Sequence, residues 1–122
     1  MMLTFIGINY EFAQILLGKN CNVVIADLSL RPEAETLVSK YKDSSPRAVF
    51  VKTDVTSWES QAATFAETAA SSPTKTIDIV ITSAGVEPAL AHQPTPSMQD
   101  EPTKPPTLTL DVNLIGTYYS TT

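Results

Sequence analysis

The chain has 122 residues, 43% of them apolar, and a formal net charge of −5, which is typical of one globular domain. The negative charge and the lack of a basic stripe argue against nucleic-acid binding, and no apolar run approaches the roughly 20 residues that span a bilayer. The only cysteine, Cys21, cannot form an intrachain disulfide, which favours a reducing compartment and hence the cytoplasm. With a single histidine, His92, it makes no convincing metal site.

Short apolar runs alternate with helical patterns through the first part of the chain. The run at residues 23–26 is typical of a strand buried on both faces, and the runs at 48–51 and 77–81 are also predicted to be strands. The patterns before and between them predict three amphipathic helices. Their apolar faces are Phe12, Ile15 and Leu16; Ala34, Leu37, Val38 and Tyr41; and Ala62, Phe65, Ala66 and Ala69. The alternation predicts an α/β fold, with a parallel sheet between two helical layers.

The alternating pattern breaks after Gly85. Six prolines make residues 86–106 an irregular, largely exposed loop within the domain. This loop is either a lid on the substrate side or an insertion without a role. A last helix is predicted from about residue 107, and its apolar side comprises Leu108, Val112, Ile115 and Tyr119.

Polar residues follow the predicted strands, where an open parallel sheet binds its ligands. Asp27, 20 residues after Gly7, could accept hydrogen bonds from the 2′- and 3′-hydroxyls of an adenosine ribose, or it could be a solvated turn residue. Its charge would repel a 2′-phosphate, which favours NAD over NADP, although the nearby Arg31 would soften this discrimination. Asp54 could accept a hydrogen bond from an adenine amino group, or it could belong to the turn before the next helix.

Four segments, in this order, resemble the classical short-chain dehydrogenase/reductase family: "NVVIADL", "AVFVKTDVTSWES", "IDIVITSAG" and "LDVNLIGTYYSTT". The resemblance runs from residue 7 to residue 122. It implies a Rossmann-like fold, an NAD or NADP cofactor, and hydride transfer that interconverts alcohols and carbonyls on a small lipophilic substrate.

The family resemblance also implies roles for individual residues. Asp27 would bind the ribose, and Asp54 with Val55 would contact the adenine. The turn Ser83, Ala84 and Gly85 would lie beneath the nicotinamide ribose, with Ser in place of the family's Asn. Asn113 would match the helix asparagine of the catalytic tetrad.

The phosphate-binding loop departs from the family pattern Thr-Gly-x-x-x-Gly-x-Gly. Gly7 and Ile8 match part of this loop, but Leu3 and Asn9 occupy the positions of its first and last glycines. Side chains there hinder the close approach of the backbone to a pyrophosphate, so we expect weak cofactor binding centred on adenosine. Either residues 3–6 fill the place of a central strand between the runs at 23–26 and 77–81, or these two strands lose their backbone partners and the protein is only marginally stable.

The catalytic pattern Tyr-x-x-x-Lys does not occur in these 122 residues. The first hypothesis is therefore an incomplete NAD(P)-dependent oxidoreductase, a single partial Rossmann-like domain over residues 1–122 that is inactive alone and takes a small-molecule substrate only in a complete form. The alternative is a non-catalytic remnant that binds a nucleotide or a partner. In that case the last helix, which lies at an oligomer interface in the family, would dock on another copy or on a relative.

Overall fold

The computed structural model describes residues 2–5, 9–87 and 104–122. Gly7 and Ile8 lie outside the described residues, as does most of the predicted proline-rich loop. None of the helices within the described ranges is long and apolar enough to cross a membrane. The elements are β1 Met2–Phe5, α1 Asn9–Gly18, β2 Val23–Asp27, α2 Pro32–Tyr41, β3 Ala48–Lys52, α3 Trp58–Ser71, β4 Ile79–Ile81, α4 Leu108–Leu110, a π-helical turn Asp111–Gly116, and α5 Thr117–Thr121. The last three are continuous and are called the last helix.

The four described strands form one parallel sheet in the order β3-β2-β1-β4. β1 pairs with β2 on one side, where Met2 lies opposite Val23, and with β4 on the other, where Met2 lies opposite Ile79. This confirms that the start of the chain forms a central strand, with bounds one residue earlier than residues 3–6. Because β1 lies between two strands, it supplies hydrogen-bonding partners to the backbones of both β2 and β4.

Strand β2 is the centre of the core, and residues 23–26 have no exposed surface. On one face, Val23 and Ile25 pack with Leu17 of α1 and Leu37 of α2. On the other face, Val24 and Ala26 form a second cluster, against which Phe65 of α3 packs. The continuous apolar run predicts this two-sided burial, and the three-layer α/β fold is confirmed.

Helix α1 packs through a different face from the one predicted. Its buried residues are Asn9, Ala13 and Leu17, whereas Phe12 and Ile15 are about half exposed, at 47% and 54%. The buried set has i, i+4 spacing, and the small Ala13 allows the helix to lie close to the sheet. The predicted face of α2 is confirmed, since Ala34 and Leu37 are buried.

Helix α3 buries polar residues instead of the predicted alanines. Its buried residues are Gln61, Thr64 and Thr68, while Ala62 and Ala66 are exposed. The threonines can be buried because their hydroxyl groups are hydrogen-bonded. Thr64 Oγ1 lies 2.7 Å from Oγ1 of the buried Thr53, directly after β3. Thr68 Oγ1 donates a hydrogen bond to the Thr64 carbonyl at 2.7 Å.

The last helix is also rotated relative to the prediction. Its buried residues are Val112, Gly116 and Ser120. Val112 belongs to the predicted apolar side, whereas the predicted Leu108 and Ile115 are exposed. The buried residues are spaced by four, so the small Gly116 and the polar Ser120 share the buried face with Val112. A hydrophobic pattern does not select a glycine or a serine, so it misses this face.

Candidate functional site

A pocket of about 360 Å³ lies at the carboxyl ends of the strands. The ends of β2 and β3, the turn after β4 and the last helix all contribute to it. Its volume falls in the range that is typical of small-molecule sites. The lining residues are Ala26, Asp27, Leu28, Ser29 and Arg31; Thr53, Asp54, Val55 and Thr56; Ala84, Gly85 and Val86; and Leu108 and Val112.

Asp27 occupies the end of β2 and is half-buried. Its Oδ1 accepts a hydrogen bond from the backbone N–H of Leu28 at 2.7 Å, which orients the carboxylate. Its carbonyl accepts from the backbone N–H of Thr53 at 2.8 Å, so the ends of β2 and β3 are joined. Arg31 lines the same pocket and precedes α2 as its N-cap. The pocket therefore contains one acidic and one basic side chain near the end of β2.

Asp54 lies in the exposed turn after β3. Its Oδ1 accepts hydrogen bonds from the side-chain hydroxyl of Thr56 at 2.7 Å and from the backbone N–H of Thr56 at 2.9 Å. The hydroxyl bond is the main cause that lowers the pKa of Asp54, and the backbone bond lowers it further. The carboxylate is therefore ionised at neutral pH and is held as a hydrogen-bond acceptor beside Val55.

The turn after β4 brings two departures from the family pattern into contact. Ser83 Oγ accepts a hydrogen bond from the side-chain amide of Asn9, which is buried at the start of α1. Ser83 stands where the family has Asn, and Asn9 where it has Gly. Ala84 and Gly85 continue from this contact into the lining of the pocket.

Asn113 lies in the π-helical turn and does not line the pocket. Its Oδ1 accepts from the backbone N–H of Val86 at 2.8 Å, and its Nδ2 donates to the Val86 carbonyl at 3.0 Å. Both ends of the amide are thus engaged with one residue of the turn after β4. In this arrangement Asn113 fastens the last helix to that turn.

Sequence reasoning missed three features of the site. The π-helical turn has no signal in the 3.6-residue period, and the contribution of Leu108 and Val112 to the pocket depends on how the last helix is placed. Gln61 is buried behind the pocket, and its side-chain amide donates hydrogen bonds to the turn after β3 and to the last helix. Its position as a glutamine on a helix rich in alanine was the available signal.

A second cavity of about 350 Å³ lies at the opposite, amino end of the strands. Its lining includes Leu16, Asn22 and Asp78. None of the residues predicted for the site lines it. Within the described part of the chain, the predicted residues are divided between the pocket at the carboxyl ends and the contacts directly behind it.

A parallel sheet covered on both faces, with a pocket at the carboxyl ends of its strands, defines the Rossmann-like class of α/β fold. The family model described as short chain dehydrogenase matches residues 4–122. The chain belongs to the short-chain dehydrogenase family, as the four sequence segments predict.

Curated relatives cover most of this chain but are much longer. The chain is 40% identical over 119 residues to "NADP-dependent dehydrogenase M3" of Phoma sp., a match that spans 93% of this chain and 33% of the relative. It is 32% identical over 121 residues to "5'-hydroxyaverantin dehydrogenase" of Dothistroma septosporum, spanning 93% of this chain and 40% of the relative. The chain therefore spans about a third to two-fifths of the length of these relatives.

Solved structures share the fold. An alcohol dehydrogenase from the archaeon Thermococcus sibiricus, complexed with 5-hydroxy-NADP, has a TM-score of 0.70 at 16% identity, covering 98% of this chain and 50% of that one. A short-chain dehydrogenase/reductase from Brucella melitensis, described as a glucose/ribitol dehydrogenase, has a TM-score of 0.69 at 24% identity, covering 98% of this chain and 48% of that one. At these identities the likeness shows the fold alone, and it confirms the Rossmann-like class.

Proposed function

We propose that this chain is the cofactor-binding part of an NAD(P)-dependent oxidoreductase that interconverts alcohols and carbonyls. The observation that carries the proposal is the pocket itself, where Asp27, Asp54, Val55 and the turn after β4 meet at the carboxyl ends of the strands. The dehydrogenase names of the curated relatives support the reaction class. Residues 1–122 would form a single, partial cofactor-binding domain that includes the loop at 86–106.

The described residues fit the adenosine end of a dinucleotide. Asp27 would accept hydrogen bonds from the ribose hydroxyls. Asp54 would accept one from the adenine amino group through Oδ2, since Oδ1 is bonded to Thr56. Val55 would contact the ring, and Ser83, Ala84 and Gly85 would lie beneath the nicotinamide ribose. Gly7 and Ile8 are proposed to bind the pyrophosphate weakly, because the positions of two family glycines carry side chains.

The choice between NAD and NADP rests on the charges beside the ribose. We expect NAD to be favoured because the Asp27 carboxylate would face a 2′-phosphate, while Arg31 in the same pocket would reduce the penalty. Two relatives carry NADP-dependent in their names, so the balance between these two side chains is the quantity to measure.

Calorimetric titration of the chain with NAD, NADP and ADP tests the ribose site. We expect weak binding, ADP nearly as tight as NAD, and NAD tighter than NADP. The isosteric variant Asp27→Asn should lower the affinity for NAD and narrow the difference in affinity between NAD and NADP. Arg31→Gln should widen this difference. Tighter binding of NADP than of NAD, or an unchanged NAD affinity in Asp27→Asn, would show that the ribose site is assigned wrongly.

The 122-residue chain is proposed to have no turnover by itself. In the family's reaction a tyrosine transfers a proton, and a lysine lowers the pKa of that tyrosine. This sequence has no Tyr-x-x-x-Lys. Bound NAD or NADP would accept the hydride in its oxidised form and donate it in its reduced form, and Asn113 would hold the helix beside the nicotinamide. With secondary alcohols and ketones as substrates, we expect no change in nicotinamide absorbance. Turnover that Asn113→Ala abolishes would contradict this.

The substrate of a complete form is proposed to be a small lipophilic alcohol or ketone. Two relatives are named as dehydrogenases of 5′-hydroxyaverantin, which supports an alcohol as the reacting group. We also propose a cytoplasmic location, which the single Cys21 favours. Fluorescent tagging in cells would test the location, and an extracytoplasmic signal would contradict it.

A second candidate is a partner-binding module that acts through the last helix. The observation in its favour is an apolar face formed by Leu110, Leu114 and Tyr118, each about 60% exposed at 59%, 61% and 62%. If this face docks on a second copy, sedimentation should show a dimer that Leu114→Lys dissociates. Ile15→Lys, which places the same charge on an exposed site of α1, is the control and should leave the dimer intact. A monomeric wild-type chain at high concentration would contradict self-association.

A further inference from the structure

Gln61 connects two parts of the chain that lie on different sides of the pocket. The side chain is 1% exposed. Its Nε2 donates to the carbonyl of Val55 at 2.7 Å and to the carbonyl of Gly116 at 2.9 Å. Its Oε1 accepts from Ser120 Oγ at 2.7 Å. One amide therefore bonds to the turn after β3 and, at two positions, to the last helix.

The two bonded segments are also in direct contact. A Cβ added at Gly116 would lie 3.1 Å from the Cβ and from the carbonyl oxygen of Val55. Only a residue without a side chain allows the last helix to approach the turn this closely. The contact and the Gln61 hydrogen bonds therefore hold the same two backbones together.

These two backbones carry opposing walls of the pocket. Val55 belongs to the wall formed by the strand ends, whereas Val112, one turn before Gly116, belongs to the wall formed by the last helix. The same helix is fastened to the turn after β4 through the bonds of Asn113 to Val86. A shift of the helix would change the width of the pocket and the position of that turn.

We infer that Gln61 is a positioning residue that sets the width of the nucleotide pocket by bridging Val55 and Gly116. This inference rests on the proposed function, since it treats the pocket as the adenosine site. Gln61 does not touch the pocket, so its effect passes through the two carbonyl groups. Without the amide, the Val55 carbonyl loses this donor, while the Gly116 carbonyl keeps a hydrogen bond from Ser120 Oγ at 2.9 Å. The hydrogen bonds that join the turn after β3 to the last helix would then be lost, and we expect the helix to shift away from the turn.

The test compares Gln61→Met with a matched control on the same helix. Gln61→Met keeps the length of the side chain and removes the amide. The control Thr68→Val removes an equally buried polar group, whose hydroxyl donates to a carbonyl of its own helix and does not reach the pocket. Ser120→Ala is a milder variant, because Gln61 would retain both carbonyl bonds. NMR titration with ADP measures the affinity, at a temperature where every variant is folded.

We expect Gln61→Met to lower the affinity for ADP by about tenfold, which corresponds to about 1.4 kcal/mol. Ser120→Ala should lower the affinity less, and Thr68→Val should leave it unchanged. The amide resonance of Val86 should shift in Gln61→Met and not in Thr68→Val. An ADP affinity and a Val86 resonance unaffected by Gln61→Met would overturn the inference while the nucleotide site stands. Equal losses in Gln61→Met and Thr68→Val would overturn it in favour of a general structural role. No binding of ADP to the wild-type chain would overturn the proposed function, and the inference with it.

Discussion

Gly116→Ala perturbs the contact between the last helix and the turn after β3. The added methyl carbon would lie 3.1 Å from Cβ, Cγ2 and the carbonyl oxygen of Val55, whereas ordinary van der Waals contact begins at 3.4 Å. Cβ and the carbonyl oxygen are fixed to the backbone, so rotation of the Val55 side chain cannot relieve the overlap. We expect overpacking to cost about 1–3 kcal/mol, offset by about 1 kcal/mol from the higher helix propensity of alanine.

Gly18→Ala is the matched control for this prediction. Gly18 ends α1 without a positive φ, and within the described part of the chain a Cβ there would meet nothing within 4 Å. Alanine at residue 18 should stabilise the chain by about 0.4–1 kcal/mol. Urea unfolding should therefore place the midpoint of Gly116→Ala about 1 M below that of Gly18→Ala. Equal midpoints would refute the close contact and the placement of the last helix.

Thr64→Val removes the hydrogen bond between the hydroxyl groups of Thr64 and Thr53. It should lower the free energy of unfolding by about 1–3 kcal/mol in urea titrations; no loss would mean that this bond is not formed. Ser83→Ala and Asn9→Ala should show a coupling of about 0.5–3 kcal/mol in a double-mutant cycle, since each side chain is a partner of the other; additive effects would contradict the contact. Asp54 has a lowered folded-state pKa, so its contribution to stability is present above its ordinary pKa of 3.8 and is lost as the pH falls through the folded value. Thr56→Ala should raise that pKa in a carboxyl NMR titration, and an unchanged pKa would show that the hydroxyl does not bond to Asp54.

The sheet and the central pocket could be predicted because their signals are local in the sequence. The run at residues 23–26 is apolar without alternation, which requires burial on both faces. Asp27 and Asp54 directly follow strands, and parallel strands bring their carboxyl ends to one edge of the sheet. The place of β1 followed from the need of its neighbours for backbone partners.

The apolar face of α2 could be predicted, but the packing of α3 against the last helix could not, because it depends on hydrogen bonds between distant residues. The burial of Gln61 depends on Val55 and Gly116, and Gly116 is 55 residues away in the sequence. The burial of Thr64 depends on the hydroxyl group of Thr53, which directly follows β3. A hydrophobic period ranks these polar side chains as exposed and their alanine neighbours as buried. The π-helical turn adds a change of period that residue type does not reveal.

The position of bound nucleotide is the most direct measurement of the central claim, that the pocket at the carboxyl ends of the strands binds adenosine. ADP would be titrated into the chain with its backbone amide resonances assigned. We predict saturable shifts centred on residues 27–29, 54–56 and 84–86, with no shifts at the opposite cavity around Leu16 and Asn22. Shifts centred on that opposite cavity, or no saturable shifts, would contradict the claim.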